Sequence, residues 1–146
     1  MDRGHVRDND DSRRRLADLA TRLSEEDLRR DLGRGWTVSA ALAHVAFWDR
    51  SCLAWWDRWD RDASVEDYPD ALVDVVNAAG LPDWRALPPA AAVGLALAAA
   101  AEVDARVAAL PDAAVAHAEA TNRPSLIERS GHRNAHLDEI ERAAAG

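Results

Sequence analysis

Near the C-terminus, the segment GHRNAHLDEI places His132 and His136 four residues apart in a stretch that reads as helix. Side chains at i and i+4 leave one helical face, so two imidazoles can grip one metal ion and leave room for a third ligand from another helix. A third histidine, His44, lies far upstream in GWTVSAALAHVAFWD. Three neutral nitrogen ligands leave coordination positions open, which separates a catalytic metal site from a closed structural one. No other spacing in the chain points to chemistry. His5 and His117 carry no pattern, and Cys52, the single cysteine, falls inside an apolar stripe as an inert core thiol. One cysteine allows no intrachain disulfide and no Cys-rich zinc site. All 18 basic residues are arginine, which rules out a Schiff-base mechanism and a P-loop.

These histidines need helices to hold them, and the apolar periodicity supplies helices. RRRLADLATRL carries Leu16, Leu19 and Leu23 at helical spacing. Ser24 and Asp27 resemble a capping box that opens a short piece ending at Gly33, and Gly35 and Trp36 form a connector. Thr37 caps a helix running from about Val38 to Arg61. ALVDVVNAAG reads as a short helix closed by Gly80, with LPDWRALPP as a loop. Pro88 and Pro89 open a third long helix that Pro111 ends, and PDAAVAHAEATNR is a connector. Pro124 opens the last helix, with Ser125 and Glu128 as a capping box, and it continues to about Ala144. No alternating strand pattern and no internal repeat is present. The expectation is an all-α domain, a four-helix bundle with short extra helices in the connections. Residues 1–11 are charged and aperiodic and read as a flexible N-terminus, leaving 12–146 as the single domain.

Polar residues stand where the pattern asks for apolar ones. Rotated at 100° per residue, the last helix places Leu126, Arg129, Arg133, His136 and Ile140 in one stripe, flanked by Glu128, His132 and Glu139. Two readings are open: a surface helix anchored by Leu126, Leu137 and Ile140 with solvated histidines, or a face lining a wet or metal-filled cavity. His44 sits on the border of its helix's stripe, where a lone histidine is more often hydrogen-bonded structure than ligand. Asp49 falls well inside that stripe and needs a partner, for which Arg129 or Arg133 would serve. The alternative is a carboxylate that orients a ligand imidazole. Trp48, Trp55, Trp56 and Trp59 fit a core, with Trp48 one turn beyond His44 and so a candidate for a substrate pocket.

The totals exclude several classes. At 146 residues and 48% hydrophobic, the chain makes one folded domain. A net charge of −8 with no basic stripe argues against nucleic acid as a partner. No run spans a bilayer and the N-terminus has no apolar leader segment, so a soluble cytoplasmic protein with no membrane partner is expected.

GWTVSAALAHVAFWD followed about ninety residues later by HRNAHLDEIERA resembles the DinB/YfiT-like superfamily of metal-dependent enzymes. The similarity of order covers essentially the whole chain. It implies a four-helix bundle, often a homodimer, with a divalent metal, zinc above nickel or iron, on His44, His132 and His136. Members of that superfamily include bacillithiol and mycothiol S-transferases and a mycothiol-dependent maleylpyruvate isomerase. The resemblance therefore implies transfer of a low-molecular-weight thiol to a small electrophilic substrate, with metal-dependent hydrolysis and a non-catalytic ligand-binding or dimerising bundle as alternatives. In such a site Arg129 and Arg133 are candidates to neutralise a substrate carboxylate, Glu128 or Glu139 to act as base, and Trp48 and Trp55 to flank the substrate.

Overall fold

The apolar stripes fold into seven α-helices in a computed structural model that describes residues 1–146. In chain order these are α1 (Gly4–Arg22), α2 (Glu25–Arg29), α3 (Val38–Asp62), α4 (Asp70–Ala86), α5 (Pro89–Ala108), α6 (Asp112–Ala120) and α7 (Ser130–Ala145). The four principal helices α1, α3, α5 and α7 form an all-α bundle in which α3 lies along α5 while α1 packs on α5 and α7. Their alanines let backbones approach closely. Ala41 and Ala46 of α3 and Ala96, Ala99 and Ala100 of α5 share one core with Leu16, Leu19, Leu42, Leu137 and Ile140. A second core at the other end gathers Trp56, Val103, Val107, Val115 and Leu126. No helix is long and apolar enough to cross a membrane.

The ends follow local chemistry. Ser24 and Asp27 make the capping box read from the sequence, each side chain accepting the other's backbone N–H, and the Thr37 hydroxyl accepts from Ala40 N at the start of α3. Between them lies a small antiparallel hairpin that the sequence analysis did not expect, β1 (Asp31–Gly33) and β2 (Trp36–Thr37). Its tip is left-handed at three successive residues, Gly33, Arg34 and Gly35, with φ of 90°, 55° and 84°.

Three expectations are corrected. First, residues 1–11 are not a loose tail: α1 begins at Gly4, and Asn9 and Ser12 are buried. The segment lacks apolar periodicity because its inward face meets polar groups. Asn9 donates from Nδ2 to Ile127 O, and its Oδ1 accepts from the backbone N–H groups of Arg129 and Ser130. Asn9 thereby satisfies orphan donors at the start of α7 from a different helix. Second, the last helix is interrupted. A 3₁₀ turn spans Pro124–Leu126 and α7 starts only at Ser130, so Glu128 caps the Gly131 N–H and does not pair with Ser125. Third, α4 runs through Gly80 and Pro82 to Ala86, and α6 replaces the expected connector, burying Ala114, Val115 and Ala118.

Gly80 is thus not a helix stop. A Cβ there would overlap the ring of Trp84 one turn on, so glycine makes room for that tryptophan. An interior proline costs a helix about 3 kcal/mol or more. Burial of Trp84 against Trp36, Ala40 and Ala43 offsets that cost.

Replacing Asn9 with Ala strips three hydrogen bonds from the α1–α7 junction and leaves buried backbone donors unpaired. We expect a loss of about 2 kcal/mol in urea unfolding. A change within error would mean that the N-terminal turn contributes nothing to the fold.

Candidate metal centre

His44 projects from the second turn of α3, and His132 and His136 project from the first two turns of α7. The helices bring the three rings together, as the spacing and resemblance led one to expect. His44 Nε2 and His132 Nε2 lie 3.1 Å apart, and one ligand nitrogen from each of the three rings fits within a mutual separation of 4.8 Å. Two nitrogens on one tetrahedral zinc stand about 3.3 Å apart for Zn–N bonds near 2.05 Å. The rings close around a common point, with centroids 4.8 Å apart for His136 and each of the others. This three-histidine cluster can hold a metal ion.

Burial keeps these imidazoles neutral, the charge state a metal ligand needs. Loss of solvent, with His136 and Arg129 nearby, lowers the pKa of His44 to about 3. Burial followed by the Arg129 charge lowers that of His132 to about 2, and burial also lowers His136, partly opposed by Glu139. All three are therefore neutral at pH 7, so binding a cation displaces no ring charge. The Nδ1 atoms of His44 and His136 are buried without hydrogen-bond partners. His136 Nδ1 is 3.9 Å from Glu139 Oε2.

Aromatic rings fix His44. Trp36 and Trp84 each meet its ring edge-on at 5.2 Å between centroids. Neither tryptophan was singled out from the sequence. Trp36 looked like a connector and Trp84 sat in an apparent loop, although the Trp84 spacing to Gly80 and Leu87 carried a helical signal that Pro82 obscured. The remaining wall is a cavity of about 690 Å³ into which all three histidines open. Trp48 lines it as expected, held by a 2.8 Å hydrogen bond from its indole N–H to Asn77 Oδ1. Arg34, Tyr68, Asn77 and Ser125 line it too and escaped the sequence analysis.

The other expected site residues divide. Glu139 lines the cavity and is its only carboxylate. Arg129 reaches the lining, but its Nε donates to Asp49 Oδ1 at 2.9 Å, and its Nη2 faces His132 Nδ1 at 3.3 Å. Arg133 is fully buried away from the cavity, donating to Asp49, Asp104, Ser12 and the Asn9 carbonyl. It cannot meet a substrate, and the structural pairing of Asp49 with both arginines is the arrangement observed. Glu128 is committed to capping α7. Trp55 lies outside the lining, stacked on Tyr68 at 6.1 Å with the Arg123 guanidinium over both rings.

The lowered histidine values set a pH dependence for chelator-stripped protein. Each ring takes a proton at about 6.5 when unfolded but resists it when folded. The unfolded state then binds more protons below pH 6.5, so their contribution is fully present above that value and is lost as pH falls toward 3. The slope is about 1.4 kcal/mol per pH unit for each fully neutral ring. Urea midpoints from pH 7.5 to 4.5 should fall steeply in the wild type and less so in His132→Gln; parallel curves would contradict the assignment.

Against protein-family models, curated proteins and solved structures, the chain finds no match.

Proposed function

We propose that the protein is a metal-dependent enzyme of the DinB/YfiT-like kind, and that it transfers a low-molecular-weight thiol to a small electrophile. The observation that carries the reading is the convergence of three neutral histidines from two helices on the wall of a ligand-sized cavity. A purely structural bundle gains nothing by burying three imidazoles with two ring nitrogens left without partners. A divalent ion held there would lower the pKa of a bound thiol or water and so supply a nucleophile at neutral pH. Zinc suits the set, since imidazole nitrogen and a soft thiolate both match it.

The chain's own groups complete the chemistry. Glu139 is the one cavity carboxylate, it is solvent-accessible, and with its Oε2 3.9 Å from His136 Nδ1 it is the group available to accept the proton released by the nucleophile. Trp36 and Trp48 offer apolar faces for the electrophile, and Asn77 keeps the Trp48 indole from rotating. The Asp49–Arg129 pair stands behind His132, with Arg129 Nη2 3.3 Å from its Nδ1.

Untagged protein should carry close to one zinc, nickel or iron per chain, and His136→Ala should lose it. Metal-loaded protein given a simple thiol and an aryl halide should form conjugate faster than His132→Ala, and Glu139→Gln should keep its metal while losing about 100-fold in rate. Ester or amide cleavage without thiol would replace transfer with hydrolysis. Absence of metal from a fully stable wild type would place the protein among bundles that only bind ligands or dimerise.

A further inference from the structure

Among the charged residues around the cavity, Arg34 stands apart. It occupies the hairpin tip at φ 55°, a left-handed conformation that favours glycine or asparagine over a long cationic side chain. Strain of this kind concentrates at binding sites, where a side chain is needed in spite of its backbone cost. Arg34 lines the cavity, yet it makes no hydrogen bond or ion pair with any protein group, although acidic residues outnumber basic ones 26 to 18. Arg85 of α4, outside the lining but beside the same hairpin tip, is likewise exposed and without a partner, and its Nη1 lies 3.7 Å from where a Cβ on Gly35 would stand. Two unneutralised guanidiniums therefore flank the same hairpin tip. The other arginine of the lining, Arg129, already has its charge met by Asp49.

We propose that the cavity takes a small anionic substrate, a carboxylate or phosphate on an apolar body, whose anionic group is held by Arg34 and Arg85 at the hairpin tip. Guanidinium groups match both anions through paired N–H donors, and the bond strengthens as a ligand shields it from water. Trp36 adjoins the tip in β2 and shares the lining with Trp48, so the tryptophans offer apolar faces to an aromatic or aliphatic body whose anionic end meets the arginines. A volume of about 690 Å³ accommodates a molecule of that size. The cavity's own carboxylate, Glu139, lies beside His136 and sets a polarity along the pocket: anion at the hairpin, reactive end at the histidines. That reactive end rests on the metal-centre reading above, whereas anion recognition does not.

The test uses the full chain with and without added zinc, titrated with phenylacetate, phenyl phosphate and the neutral phenylacetamide, and followed by tryptophan fluorescence. The wild type should bind at least one anion roughly tenfold more tightly than the amide, as expected for charge-assisted bonds at a partly exposed site. The preferred anion separates a carboxylate from a phosphate substrate. Arg34→Gln combined with Arg85→Gln should abolish the preference while metal content and helical circular dichroism stay unchanged, and Arg61→Gln should retain it. Equal binding of anions and amide by the wild type, or a preference that survives in the double variant, overturns the proposal. Loss of metal binding with the anion preference intact would sink only the metal-centre reading.

Discussion

Asp49 is a carboxylate with no solvent exposure inside an otherwise apolar stripe, and the arrangement of the bundle depends on how its charge is met. One oxygen accepts from Arg129 Nε and the other from Arg133 Nε. Arg133 passes the connection to Asp104 of α5 through two bonds of 2.9 and 2.7 Å, and to Ser12 and the Asn9 carbonyl of α1. A single polar layer thus crosses all four principal helices. Buried pairs of this sort return little net stability over apolar packing, but removing one member strands a charge and costs about 3–5 kcal/mol. Such a layer gives the helices a register that alanine cores do not, because Ala-on-Ala packing tolerates sliding while a bidentate guanidinium does not.

That register is what makes the site. Asp49 follows His44 by five residues on α3, and Arg129 and Arg133 bracket His132 at the start of α7. Fixing the arginines on Asp49 therefore fixes His132 and His136 opposite His44. The same end of α7 is held a second time by Asn9, whose amide takes two backbone donors at the helix start. Trp56 donates to Leu126 O from α3 and secures the 3₁₀ turn just before it. The histidines sit on parts of the chain restrained from α1, α3 and α5, as ligands placed for one ion must be.

The helices, the capping box at Ser24 and the pairing of Asp49 were legible in the sequence because each depends on local spacing or on one misplaced charge. The histidine cluster was legible only in part: the spacing of His132 and His136 gives a shared face, but nothing local tells His44 from a hydrogen-bonded boundary histidine. What escaped depends on contacts distant in sequence. The order of residues 4–11 comes from polar partners near residue 129, which a search for apolar periodicity cannot find. α4 passes Pro82 because Trp84 finds Trp36 and His44 across the fold. The hairpin is too short for an alternating pattern, so the one unpaired arginine of the cavity wall lay in what read as a connector.

Arg129 joins the structural layer to the chemistry, and its geometry constrains both. A guanidinium only donates, so at 3.3 Å the Nη2 group makes His132 Nδ1 an acceptor and leaves the ring proton on Nε2. That Nε2–H donates to His44 Nε2 at 3.1 Å, which in turn assigns the His44 proton to Nδ1, the buried atom without a partner. His44 is therefore already in the tautomer that ligates through Nε2, whereas His132 is not. For His132 to ligate through Nε2, its proton must leave that atom. Placed on Nδ1, it would confront a donor in place of the carbonyl or carboxylate that usually backs a ligand imidazole. Arg129 has little room to turn away, since its planar guanidinium is held at Nε by Asp49 and at Nη1 by Ser125 O, 2.8 Å away. With the guanidinium held by Asp49 and Ser125, the His132 ring is the group that must adjust for the centre to take an ion through all three Nε2 atoms.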